Sequence, residues 1–146
     1  MQRFRVWIPS LMVVALGVVI SAQATLSTED YTKLMKANAQ AVGAMNKAIG
    51  SGAFADARTQ LATLRTNYMG LQAFWAGHKK DDAVAIVKDG LTRLDGLDKL
   101  LGAATVDQMA AQAAAKEFGG NTCGACHKLY REGDATSGFK FKAGVL

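Results

Sequence analysis

Cys123-Gly124-Ala125-Cys126-His127 gathers two thiols and an imidazole within five residues, and these two cysteines are the only ones in the chain. Thiols at i and i+3 can add to the two vinyl groups of a haem while the adjacent imidazole coordinates its iron, the attachment pattern of a c-type haem. On a helix, positions i, i+3 and i+4 share a face. Both covalent bonds and the iron bond would then converge on one side of one helix.

Three other chemistries compete for the same residues. A thioredoxin-like CxxC needs a βαβ setting and a reactive thiol of low pKa, and the only proline, Pro9, lies too near the N-terminus to flank these thiols. A structural zinc site needs about four ligands, and outside the pentapeptide only His78 adds a Cys or His. A Cys123–Cys126 disulfide would close a very small loop, constrain the unfolded chain little, and leave His127 without a role.

The N-terminus reads as an export signal. Arg3 and Arg5 precede an apolar run from Val6 to Ile20, and Ala22-Gln23-Ala24 makes a small-x-small cleavage site. Residues 1–24 are therefore expected to be a signal peptide, cleaved after Ala24, with the mature chain in the periplasm; an uncleaved anchor is the alternative. The apolar run is shorter than the roughly 20 residues of a spanning helix, so no membrane span is expected after cleavage. Of 17 basic residues, Arg3 and Arg5 fall in the signal, leaving 15 against 12 acidic ones. The whole-chain pI of 9.4 thus overstates the charge, and the bases are scattered, so nucleic acid is not an expected partner.

Positioning the pentapeptide falls to helices. With no proline after Pro9 and apolar residues at three-to-four spacing, the mature chain reads as all-α. A first helix starts at the cap Ser27 or Thr28, carries Tyr31, Leu34, Met35, Val42, Met45 and Ile49 on one side, and ends at Gly50-Ser51-Gly52. A second runs from about Phe54 to Ala76, burying Phe54, Leu61, Leu64, Tyr68, Leu71 and Trp75, with His78 in an exposed exit turn. A third begins at Asp81, carries Val84, Val87, Leu91, Leu94, Leu97 and Leu101, and stops at Gly102, weakened by about 1 kcal/mol at each of Gly90 and Gly96. The fourth opens at Thr105 to Asp107 and carries the pentapeptide.

Four such helices with short loops favour an up-down-up-down antiparallel four-helix bundle, here with a covalently attached haem. The bundle is expected over residues 25–132 and a tail over 133–146, where Phe139 and Phe141 alternate with lysines in a short extended piece. Gly119-Gly120 could break the last helix; the preferred reading is that their missing side chains let a flat macrocycle approach the backbone. Met69 and Met109 are expected to fill the core.

Over about residues 27 to 131 the chain resembles the class II c-type cytochromes, the cytochrome c′ group. The likeness rests on a motif near the C-terminus, on its extension as CxxCHxxYR through Tyr130 and Arg131, and on Tyr31-Thr32-Lys33-Leu34-Met35-Lys36-Ala37-Asn38 in the first helix. The resemblance implies thioethers at Cys123 and Cys126 to one haem c, His127 as proximal iron ligand, and Met35 at the distal position. Low-spin relatives commonly carry an arginine four residues before that methionine; here the residue is Tyr31. In an antiparallel pairing Met35 lies about 10 Å from the start of the first helix and His127 about 6 Å from the end of the last, so the two match in height.

Tyr130 is expected to pack around the macrocycle. Arg131, in a last helical turn, would favour the helix terminus and bring positive charge near His127 or a propionate. Asn38 adds a polar group near Met35. The leading expected function is one-electron transfer to redox partner proteins, without enzymatic turnover; the alternative is an open iron that binds nitric oxide or carbon monoxide, with Met35 controlling access. Peroxidase-like turnover ranks last, because beside Met35 only Asn38 and Gln40 offer polar groups and neither is an acid–base pair. The resemblance also leaves a homodimer through the first two helices open.

Overall fold

Ser27 opens the first helix as the sequence dictates: its hydroxyl accepts from the Asp30 amide at 3.1 Å, and Glu29 and Asp30 place negative charge in the first turn. The computed structural model describes residues 26–134 and 136–146, so the expected signal peptide lies outside the described residues. Helix α1 spans Thr28–Gly50, α2 Phe54–Gly77 and α3 Asp81–Leu101. The last helix begins as α4, Gln108–Phe118, passes through a π-helical segment, Gly119–Gly124, and ends as α5, Ala125–Tyr130.

These helices form a bundle. Helix α1 packs on α2, α2 on α3, α3 on α4, and α4 returns to α1. The core is a stripe from each helix, among them Met45, Ile49, Leu64, Trp75, Leu94 and Phe118, each almost wholly out of solvent. Deeply buried side chains of this size contribute about 1.5–3 kcal/mol each. Gln108, the first residue of α4, donates from Nε2 to the carbonyls of Ile49 at 2.7 Å and Gly50 at 2.9 Å. One side chain thereby satisfies two carbonyls that the end of α1 leaves without intrahelical donors.

Gly119 and Gly120 do not break the last helix. Backbone angles stay helical through Phe118, Gly119 and Gly124, and the ladder widens into a π turn. Such segments are frequent at functional sites. Gly90 has a different reason for lacking a side chain. A Cβ there would stand 2.5 Å from Thr122 Cγ2 and 2.8 Å from Tyr68 Cε1, so α3 approaches both α2 and the π segment through the missing methyl.

Some sequence expectations are corrected. Met69 and Met109 are 67% and 79% exposed rather than core fillers. Met69 adjoins Tyr68 one position past the buried stripe of α2, and Met109 lies in the first turn of α4. Phe74 is buried although the stripe had omitted it, while Phe54 is only half-buried. Arg131 is not in a helical turn: α5 ends at Tyr130 and strand β1, Arg131–Asp134, begins.

The extended piece expected around Phe139 and Phe141 is β2, Gly138–Phe141, paired antiparallel to β1 with Arg131 opposite Phe141. Gly133, at φ +86°, is required in this hairpin, since a Cβ would lie 2.0 Å from the Gly138 carbonyl oxygen. Asp134 Oδ1 ties the turn by accepting from the amides of Thr136 and Ser137.

A paired substitution tests the packing argument. Gly96 has open space where a Cβ would go, so Gly96→Ala should raise stability to denaturant by about 0.5–1 kcal/mol. Gly90→Ala should lower it by about 1–3 kcal/mol, the cost of overpacking exceeding the helical gain. Equal gains at both positions in urea unfolding would refute the close approach.

Candidate functional site

The pentapeptide straddles the junction of two helix types: Cys123 and Gly124 end the π segment, and Ala125, Cys126 and His127 open α5. Both thiols are free and half-buried, and both pack against the core. Cys123 Sγ lies 3.4 Å from the Tyr68 hydroxyl. That phenol is held protonated far above its usual range, first by burial and then by Cys123 beside it. Burial pushes the Cys126 thiol up to about 11, with Cys123 and Asp82 adding to the shift.

A raised thiol is the opposite of what a disulfide oxidoreductase needs, since exchange runs through the thiolate. His127 is lowered below the ordinary histidine value, first by burial and then by the Arg131 charge. At neutral pH the imidazole is therefore uncharged and keeps a lone pair for a metal. Among the described residues no three His, Cys, Asp or Glu side chains are grouped to hold a metal ion by themselves. The local chemistry comes down to two half-buried free thiols and one neutral imidazole on one helix.

An aromatic box stands against this helix. Trp75 packs on Tyr130 with ring centroids 4.6 Å apart, and Tyr31 stands edge-on to Trp75 at 5.6 Å. Tyr31 also packs on Phe74 at 4.5 Å and on Phe141 of the hairpin at 5.0 Å. Burial, followed by the nearby Cys126, raises the Tyr31 phenol well above its normal range. The first helix thus reaches the thiols' neighbourhood through Tyr31. Sequence periodicity had marked Tyr31 and Trp75 as core residues but gave no sign that Phe74 and Phe141 join them; only the alternation of Phe139 and Phe141 hinted that one of the pair faces inward.

Among the described residues, the buried Thr122 Oγ1 has no hydrogen-bond partner. Trp75 Nε1 stands beside the Tyr31 hydroxyl, and Tyr130 Oη beside the Asp82 carboxylate.

The remaining sequence candidates separate into two groups. Met35 is half-buried on α1 and packs against the core, one turn after Tyr31. Asn38 is engaged elsewhere: its Oδ1 accepts from Asn67 Nδ2 at 2.8 Å, joining α1 to α2. Tyr130 is buried in the box, and Arg131 lies over the Phe139 ring at 4.0 Å while its charge is felt at His127. His78 is exposed beyond α2, with its ring 4.5 Å from that of Phe74.

The raised thiol has a kinetic signature. In haem-free chain carrying Cys123→Ser, carbamidomethylation of Cys126 should be roughly 100-fold slower at pH 8 than that of a free cysteine. The rate should keep climbing to about pH 11, where the thiol titrates; a plateau near pH 9 would contradict the burial argument. Comparison of the chain with protein-family models, with curated proteins and with solved structures found no match.

Proposed function

We propose that this chain is a monohaem c-type cytochrome of the periplasm, a one-electron carrier that exchanges electrons with redox partner proteins and turns over no substrate. The observation that carries the reading is the pentapeptide itself, with two half-buried free thiols and a neutral imidazole on one helix beside an aromatic box. The donor set suits a c-type haem: Cys123 and Cys126 would hold it covalently and His127 would bind its iron. Further support comes from open space, because a Cβ added at Gly119 or Gly120 meets no atom within 4 Å. A haem bound there supplies a reversible one-electron couple whose potential follows its axial ligands and surroundings.

Helix pairing supports the up-down-up-down topology and Met35 as the second axial ligand. Tyr31 packs on Phe74 and Asn38 bonds Asn67, so a step forward on α1 answers a step back on α2. Met35 then falls level with Gly70, whose Cβ position lies 3.6 Å from the neighbouring Leu34. Tyr68 meets Cys123 and Trp75 meets Tyr130, so α2 and the last helix advance together and Gly70 falls level with Ala125. Met35 and His127 therefore differ in height by about two residues, or about 3 Å. A thioether opposite an imidazole saturates the iron and holds the potential up.

Two measurements test the reading. Chain exported from a host that matures c-type cytochromes should keep its colour through denaturation and acidic organic extraction; loss of the colour refutes covalent attachment. The oxidised protein should show a sulfur-to-iron charge-transfer band that Met35→Ala removes. A high-spin ferric spectrum in the native chain, with ready carbon monoxide uptake on reduction, would instead favour the gas-binding alternative.

A further inference from the structure

Tyr68 is buried on α2, and a buried phenol hydroxyl needs a partner. Among the described residues its hydrogen-bond partner is the Cys123 sulfur, 3.4 Å away. The ring has little freedom to aim elsewhere. Phe118 packs on it at 5.4 Å, and Tyr68 Cε1 and Cδ1 lie 2.8 and 3.3 Å from where a Gly90 Cβ would stand. Thr122, one residue before Cys123, enters the same gap, with Cγ2 2.5 Å from that position. One close approach therefore seats both the ring and the sulfur. The phenol is held protonated far above its usual range, first by burial and then by Cys123, so at neutral pH it keeps a proton to donate.

While Cys123 is a free thiol, either atom of the pair can be the donor. Thioether formation removes that choice. The S–H bond and the vinyl π bond break, an S–C bond forms, and the hydrogen ends on the other vinyl carbon. The sulfur is left with lone pairs and no proton, so it can only accept. We infer that Tyr68 is a positioning residue whose hydroxyl donates a hydrogen bond to the Cys123 thioether sulfur of the attached haem. This rests on the proposed haem attachment and adds to it a polar contact on one of the two covalent anchors. A donor draws electron density from the sulfur and, through it, from the edge of the macrocycle, which favours the reduced iron. Hydrogen bonding and burial around a metal centre are levers by which a protein sets its potential. Tyr68 acts without a formal charge, in a region where little water screens its dipole.

The test uses haem-loaded native protein and Tyr68→Phe, which keeps the ring and removes the hydroxyl. In resonance Raman spectra of the native protein, exchange into heavy water should shift a thioether C–S stretching band, because the bonded O–H becomes O–D. In Tyr68→Phe that isotope shift should be lost and the reduction potential should be lower than native. Packing alone carries no such isotope sensitivity. A native C–S band that ignores deuterium, or one that responds equally in both proteins, would overturn the assignment and leave the attachment standing. The native spectrum decides the first of these without relying on the variant. Native chain that carries no covalent haem would overturn both.

Discussion

The chemistry of this chain depends on how deeply one helix is set into the bundle, and the contact that fixes the depth is made where a side chain is missing. At Gly90 the third helix comes close enough for Tyr68 and Thr122 to occupy the space a Cβ would take. Thr122 immediately precedes Cys123, and Tyr68 is the residue whose hydroxyl meets the Cys123 sulfur. A bulkier residue at position 90 would push the thiol-bearing helix outward and move both sulfurs and the imidazole together. Close-packed interiors transmit such displacements rather than absorb them. The same contact thus bears on helix packing and on the setting of the Cys123 thiol beside Tyr68.

Burial has one electrostatic consequence throughout the site: it favours whichever form is neutral. The Cys126 thiol rises, the Tyr31 and Tyr68 phenols rise, and His127 falls. Burial is the largest cause of all four shifts, because all four groups line one poorly solvated region. Elsewhere the charged side chains are arranged differently. Arg58 with Asp98, Arg65 with Asp95, and Arg93 with Asp89 form pairs on the solvent-facing surface, where water screens their attraction. The first two join α2 to α3 and the third lies within α3, and none decides the fold, which rests on the apolar stripes.

Much of this was legible in the sequence, for physical reasons that differ by element. Helix starts at Thr28 and Gln108 follow from Ser27 and Asp107, whose side chains accept backbone amides in the first turn. The stop at Leu101 follows from Gly102. The thiols and His127 were legible because their chemistry is local, set by spacing along a single helix. Phe74 and half-buried Phe141 were not, because their packing on each other depends on a hairpin folding back over α2, a long-range event without a short-range signal. The π segment was hidden for a related reason: Gly119-Gly120 permits a break, a regular helix or a widened turn alike, and packing of Phe118 and Thr122 on either side selects the last. Met69 and Met109 misled because a flexible apolar side chain reads as core in composition, while helical phase turns both outward.

The proposed carrier of single electrons would gain from surroundings that do not rearrange when the charge on its metal changes. Rings locked by mutual packing satisfy that requirement better than long charged side chains, whose many rotamers respond to a field. Five rings meet beside the thiol-bearing helix, from Tyr31, Phe74, Trp75, Tyr130 and Phe141, and they come from α1, α2, α5 and β2. Each element is therefore clamped to the others through the site rather than around it. The hairpin fits the same logic: the Lys142 amide donates to the Tyr130 carbonyl at 3.0 Å, which continues the chain from the end of α5 into a strand that returns Phe141 to the box. The C-terminal residues are consequently part of the site's wall. Rigidity there and neutrality of the buried groups are two results of one cause, the exclusion of water from the helix that bears the thiols.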